Sequence, residues 1–307
     1  MSKPRSAPRR RVDGVLLLDK PSGISSNAAL QKARWLFNAA KAGHTGTLDP
    51  MATGLLPLCF GEATKFAGEL LDADKSYRAT LRLGITTDTA DAEGQVLETR
   101  PVSVTKEQLL VAMSQFTGEI EQIPPMYSAL KRDGKPLYEY ARAGIELERQ
   151  ARRVTIYRLT LLSFDGTEAI VDVDCSKGTY VRTLAADLGE VLGCGAHLSA
   201  LRRTRIDNLQ LDDAVTLVEL EDLTVADRDA RLAPADALLA DLPTVALNAQ
   251  ETGRVLHGQG LLWDGPLGQR CRLYGGDGTF LGLGQHSGDG WLQPRRLVAT
   301  AAEGEKH

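Results

Sequence analysis

The segment GHTGTLDPMATG, from Gly43 to Gly54, carries a single acid, Asp49, among three glycines and three threonines. No apolar rhythm runs through it, which predicts a structured loop with the Asp49 carboxylate held by the backbone and stiffened by Pro50. A carboxyl of ordinary pKa, about 3.9, is ionised at neutral pH and can act as a nucleophile. Phosphate binding fits poorly, because the pattern G-x-x-x-x-G-K-[ST] is absent. Taken alone, an aspartate in such a loop is more often a turn-former than a catalyst, and His44 beside it reads as a surface residue. Three further segments bear chemical groups: KSYRA with Tyr77, SKGTYVRTLAADLG with Tyr180 and Arg182, and IPPMYSALKRDGKPLYEYAR from Ile123 to Arg142. Read singly, Tyr77 is a core tyrosine, and Leu201, followed by two arginines, is plain helix packing.

The elements that must position these groups alternate along the chain. Val15 to Leu18 is an apolar run of strand size that ends in the turn Asp19-Lys20-Pro21-Ser22-Gly23. A helix is predicted next, capped by Ser25 or Ser26, with Leu30, Ala33 and Phe37 inward. The Gly43–Gly54 loop leads into a strand from Leu55 to Phe60. Tyr77, Ala79, Leu81 and Leu83 alternate with Arg78, Thr80 and Arg82, the period of a half-buried strand with Tyr77 at the head of its inner face. Helices are predicted over 105–117 and from Thr179 to Leu192, and a strand from Ile170 to Cys175. The polar stretch from Lys131 to Arg153 reads as a surface insertion. Residues 206–241 look helical, and the glycine-dense end suits a small β-barrel or sheet.

Composition excludes several function classes. No apolar run approaches the roughly 18 residues of a membrane helix, and no apolar segment follows the basic start, so neither a membrane span nor a signal peptide is expected. Cys59, Cys175, Cys194 and Cys271 form no C-x-x-C pair and the five histidines lack ligand spacing, so no metal or cofactor is expected, and the thiols fit a reducing cytoplasm. Net charge is −4, but ten acids lie between 206 and 245 against two cations. Residues 1–11 hold five cations and no acid, and residues 131–158 hold eight cations against four acids. Basic patches able to meet phosphate therefore coexist with an acidic total.

In this order and at these separations, the four motifs resemble the TruB-type tRNA pseudouridine synthases. The DKPSG turn and AHLSALRRTR (Ala196 to Arg205) agree, so the resemblance covers roughly residues 12 to 205; after Arg205, Asp207-Asn208 replaces a Gly-Pro-type turn. The resemblance implies an α+β catalytic domain over 12–245, with a central, mostly antiparallel sheet flanked by helices. A thumb insertion is implied at about 124–153 and a β-rich PUA-like RNA-binding domain over 246–307, while the Pro-, Ser- and Arg-rich composition of residues 1–11 predicts a disordered basic arm. It implies isomerisation of the T-loop uridine conventionally numbered 55 in tRNA, in the cytoplasm, without cofactor, metal, guide RNA or obligate protein partner. Asp49 takes the place of the nucleophile, and attack on the base and attack on the ribose are both compatible with the sequence. Tyr77 matches the tyrosine that stacks on the target base and takes a proton, and Arg182 the arginine that pairs with the carboxylate and keeps its pKa low. Tyr180 and Leu201 match pocket positions, His44 a wedge into the T-loop, and Lys20 a supporting group. A non-catalytic RNA-binding protein and a guide-dependent synthase are the competing readings.

Overall fold

The computed structural model describes residues 8–287 and 289–299. Its larger sheet contains β1 (Gly14–Lys20), β2 (Thr53–Phe60), β3 (Lys75–Leu83), β4 (Gly118–Gln122), β5 (Arg152–Phe164), β6 (Glu168–Cys175), β7 (Ala196–Ile206) and β8 (Val215–Thr216). Their spatial order is β8-β1-β2-β7-β3-β6-β5-β4, with Ala42–His44 added on β2 and Leu209–Gln210 on β7. Only β8–β1 and β2–β7 pair in parallel, so the sheet is mostly antiparallel as expected.

Two helical layers cover one face in halves. Helix α1 (Ser26–Leu36) starts at Ser25, whose hydroxyl accepts from Ala28 N at 3.1 Å, and buries Ala29, Leu30, Ala33 and Leu36. It ends where Asn38 turns left-handed at φ 47°. Helix α2 (Lys106–Gln115) opens with a Thr105–Gln108 capping box. Helix α4 (Val181–Val191), which follows α3 (Leu137–Arg142) in the chain, puts Leu184, Ala185 and Leu188 on the sheet and stops before Gly193 at φ 78°. One core joins α1 to β1 and β2; a second joins α2 and α4 to β3, β5 and β6. Tyr77 and Leu201 pack against both. The seam lies where β2 meets β7 through just two registered pairs, Thr53 with Arg202 and Gly54 with Arg203. Gly54 has φ 97°, and a Cβ there would lie 2.3 Å from the Arg203 carbonyl oxygen, so glycine is required.

A second sheet comprises β9 (Thr244–Ala246), β10 (Leu261–Leu262), β11 (Arg270–Tyr274), β12 (Phe280–His286) and β13 (Trp291–Leu297), in the order β9-β11-β12-β13-β10. It has its own core around Leu247, Val255, Leu273 and Leu281. Phe280 meets Phe66 of the larger body edge-on at 5.6 Å, and Arg272 pairs with the buried Asp236 at 3.0 Å.

Several expectations need correction. Residues 1–7 of the basic arm lie outside the described residues, but Arg10 is not disordered. It grips Asp229 at 2.6 Å and the Phe37 carbonyl at 2.8 Å. The sheet of the second domain begins at Thr244, ahead of the expected boundary at 246. The expected thumb overruns its end, since Arg152 and Arg153 pair with Gln122 and Glu121 as the start of the thirteen-residue β5. That strand is hard to see in the sequence because register shifts at Ile156/Arg158 and Leu161/Ser163 cut its alternation into short pieces. The acidic stretch is not one helix; Leu217–Asp222 and Val225–Asp229 are short pieces separated by the helix-capping Thr224. His44 sits in a short strand rather than a loop, and Leu201 in β7 rather than a helix.

Candidate active site

The Asp49 loop is fastened from four sides. Ser26 is buried in the first turn of α1, accepts from Leu48 N at 2.8 Å and donates to Leu48 O at 2.9 Å. Gly23 N and Lys20 Nζ both donate to Pro50 O, at 2.9 and 3.2 Å. Ser22 Oγ reaches Met51 O at 3.0 Å, and Arg203 Nη2 reaches Gly46 O at 3.2 Å. Lys20, fully buried, also donates to the carbonyls of Pro21 and Ile24, so its charge is held by three backbone oxygens. Burial pushes its pKa down to about 8, against the pull of Glu93 and Asp49.

Above this loop opens a pocket of about 260 Å³ lined by Asp49, Tyr77, Ser128, Tyr180, Arg182 and Leu201, among others. Five of the seven residues singled out in the sequence thus converge. Lys20 and His44 stand outside the lining: Lys20 beneath the loop, and His44 at its entrance in Ala42–His44, paired with Leu58. Among the described residues the buried Nδ1 of His44 has no partner, and burial together with the Arg203 charge lowers its pKa.

Arg182 is buried at the start of α4 and spends its donors on four acceptors. Nε meets Asp49 Oδ2 at 3.1 Å, and Nη1 meets Asp91 Oδ2 at 3.3 Å. Nη1 also reaches Thr89 O at 3.2 Å, and Nη2 reaches Tyr127 O at 2.6 Å. This fork fixes the carboxylate's direction. The expected low pKa of Asp49 is overturned: it is raised. Burial contributes most; Arg182 pulls it down, Asp91 pushes it back up, and Lys20 pulls down less. Tyr180 caps α4, its backbone clamped by Gln122, which accepts from Tyr180 N at 3.0 Å. Burial raises the pKa values of both Tyr77 and Tyr180.

Sequence reasoning missed Asp91, Arg203, Ser26 and Gln122. Asp91 lies in the Thr/Asp-rich stretch Thr86 to Gly94, where nothing in the sequence sets it apart from the acids beside it. Among the described residues, no group of His, Cys, Asp and Glu is placed to hold a metal ion, and no helix is long and apolar enough to cross a membrane.

The fold occurs in solved structures of other proteins. An archaeal box H/ACA Nop10–Cbf5 complex aligns with a TM-score of 0.69 at 23% identity, over 97% of this chain and 92% of that one. A Cbf5–Nop10–Gar1 complex gives 0.68 at 26%, over 94% and 84%. Three family models tile the sequence. "TruB family pseudouridylate synthase (N terminal domain)" matches residues 34–181, "tRNA pseudouridylate synthase B C-terminal domain" 182–240, and "Pseudouridine synthase II TruB, C-terminal" 243–298. The class that fold and models define is the pseudouridine synthases, which are isomerases. Proteins called tRNA pseudouridine synthase B are 59% identical in Chromobacterium violaceum, over 99% of this chain and 100% of that one, and 61% identical in Aromatoleum aromaticum, over 97% and 96%. This chain belongs to the TruB family.

Proposed function

We propose that this protein converts the T-loop uridine at position 55 of tRNA to pseudouridine in the cytoplasm, unaided by a guide RNA and with Asp49 as nucleophile. The observation that carries the reading is the Asp49–Arg182 pair at 3.1 Å inside a pocket walled by Tyr77, Tyr180 and Leu201. A carboxylate in a cavity of about 260 Å³ can be reached by one extruded base but not by a paired stem, which favours a splayed loop nucleotide. Relatives over nearly the full length carry the tRNA-specific name, which supports tRNA as substrate.

In this reading Arg182 aims the Asp49 carboxylate. The carboxylate forms a transient bond to the base or to the ribose carbon, the bond from uracil N1 to the ribose breaks, the base turns, and its C5 joins the ribose carbon as the bond to Asp49 is released; C5 then loses its proton and N1 takes one up. The Tyr77 ring stacks on the base and its hydroxyl serves the departure of that proton. Tyr180 and Leu201 shape the pocket, His44 wedges into the loop, and Lys20 supports the Asp49 backbone. Residues 12 to 243 supply the catalytic body, residues 124–151 act as the RNA-closing thumb, and the second sheet is a PUA-like RNA-binding module.

The test is to mix the purified chain with unmodified tRNA transcript and no other RNA, then map products by reverse-transcription stops after carbodiimide labelling. A single new stop in the T-loop is expected. Absence of product unless a guide RNA is added would assign the guide-dependent reading, and binding without product under both conditions a non-catalytic one.

A further inference from the structure

Gln122 is 2% exposed, and the proposed chemistry gives it nothing to do. It closes β4 at the edge of the larger sheet, immediately before the thumb. A side-chain amide offers one acceptor group and two donors, and leaving them unmet in a buried place is costly. Gln122 uses both kinds on a single residue: Oε1 accepts from Tyr180 N at 3.0 Å, and Nε2 donates to Tyr180 O at 3.3 Å. Tyr180 allows this because its backbone is extended, with φ −103° and ψ 107°, which turns its N–H and carbonyl to one side. It is also the residue at which α4 begins, since its carbonyl takes the first helical bond, from Leu184 N at 3.0 Å. Its own side chain caps nothing, so the start of the helix is held from outside.

What the clamp controls lies two residues on. Arg182 is in the first turn of α4, so the direction of that turn sets where its guanidinium points. One of its acceptors, the Tyr127 carbonyl at 2.6 Å from Nη2, belongs to the thumb. A thumb that closes over RNA could drag that acceptor, and the arginine with it, away from Asp49. Between Gln122 and Tyr127 stand Ile123, Pro124, Pro125 and Met126, and the two prolines fix φ. Residues 122–127 are thus a short, stiff strap fastened to the start of α4 at both ends.

We propose that Gln122 is a positioning residue for the isomerisation, bolting the root of the thumb to the start of α4 so that Arg182 stays on Asp49 as the thumb moves. The inference rests on the Asp49–Arg182 pair assigned above, which Asp49→Asn tests by itself. Gln122→Met keeps the length of the side chain and removes both hydrogen bonds. It is compared with the parent by single-turnover rate against pH at saturating tRNA transcript, with tRNA Kd and thermal melting alongside. The rate should fall about tenfold while Kd stays within about twofold. Arg182 pulls the Asp49 pKa down and Asp91, the acid that shares it, pushes it up, so a loosened Arg182 should move the acid limb toward higher pH. Gln122→Asn, one methylene too short to hold both groups, should do the same to a smaller extent, and it carries the test if Gln122→Met fails to fold. A lower melting temperature with the parent rate and limb would make Gln122 a purely structural clamp and overturn the inference. So would a slower rate with an unmoved limb, or a loss confined to Kd. An Asp49→Asn variant near the parent rate removes the pair itself, and the inference falls with it.

Discussion

The Asp49 loop and residues 131–150 are both polar and bury few side chains, yet they are held in opposite ways. Residues 45–52 are tied to distant parts of the chain: Leu48 to Ser26, Pro50 to Gly23 and Lys20, and Gly46 to Arg203, 157 positions away. From 131 to 150 only Leu137 is buried, and the bonds are mostly local. Lys131–Arg132 pairs with Lys135–Pro136, Tyr140 reaches the Arg132 carbonyl, and Lys135 lies 4.8 Å over the Tyr140 ring. Irregular backbone is therefore no index of mobility; what matters is whether its polar groups are closed by distant partners or by neighbours that move with it.

Four measurements would break or sharpen that contrast. The largest effect belongs to Asp49→Asn, which keeps the loop's fastenings and removes the charge. Turnover should fall by at least about a thousandfold, roughly 4 kcal/mol of barrier, with tRNA binding nearly intact. A variant retaining a tenth of the parent rate would remove Asp49 from the chemistry. Next comes Ser26→Ala, which leaves the Leu48 N–H and carbonyl unpaired in a buried place. It should cost about 1–3 kcal/mol of stability and about tenfold in rate, read by thermal melting and single-turnover assay. A normal rate would mean the loop is held well enough without that pin.

A smaller change is expected in pH dependence. Because the Asp49 pKa is raised, the carboxyl takes up its proton above the ordinary aspartate range, and the acid limb of kcat/KM should fall there. Asp91 is one of the groups raising it, so Asp91→Asn should move that limb toward lower pH, although losing an Arg182 partner also slows the plateau. A limb that stays put, or moves upward, would show that another group titrates. The subtlest readout is hydrogen exchange. Amides of 131–150 should exchange fast in the free protein and become protected with tRNA, while Thr45, Leu48 and Ala52, each already hydrogen-bonded, should change little. Equal protection of both segments without RNA would erase the difference drawn here.

Much of the catalytic half was legible beforehand. The alternation from Tyr77 to Leu83 gave the strand and its inner face, and the helix expected from Thr179 to Leu192 is the one that presents Arg182. The site residues were nameable only because four motifs resembled a family; neither composition nor periodicity separates Asp49 from any other turn aspartate. Asp91 and Arg203 were invisible because their roles arise from sheet order. They meet Arg182 and Tyr77 across 91 and 126 residues, by pairings that no local pattern encodes. Burial set the direction of the Asp49 pKa against the expected effect of its arginine, and burial in a pocket is a property of the folded surface alone.

Gly54 has one consequence for anyone who tests this chain by substituting every position in turn. With φ at 97° and the Arg203 backbone where a Cβ would go, it should tolerate replacement no better than Asp49, although it has no side chain to offer a substrate. A survival map would score the two alike. The yield of folded protein would tell them apart: Asp49→Asn should accumulate as an intact, inert enzyme, whereas Gly54→Ala forces β2 off β7 and should be lost before any question of catalysis arises.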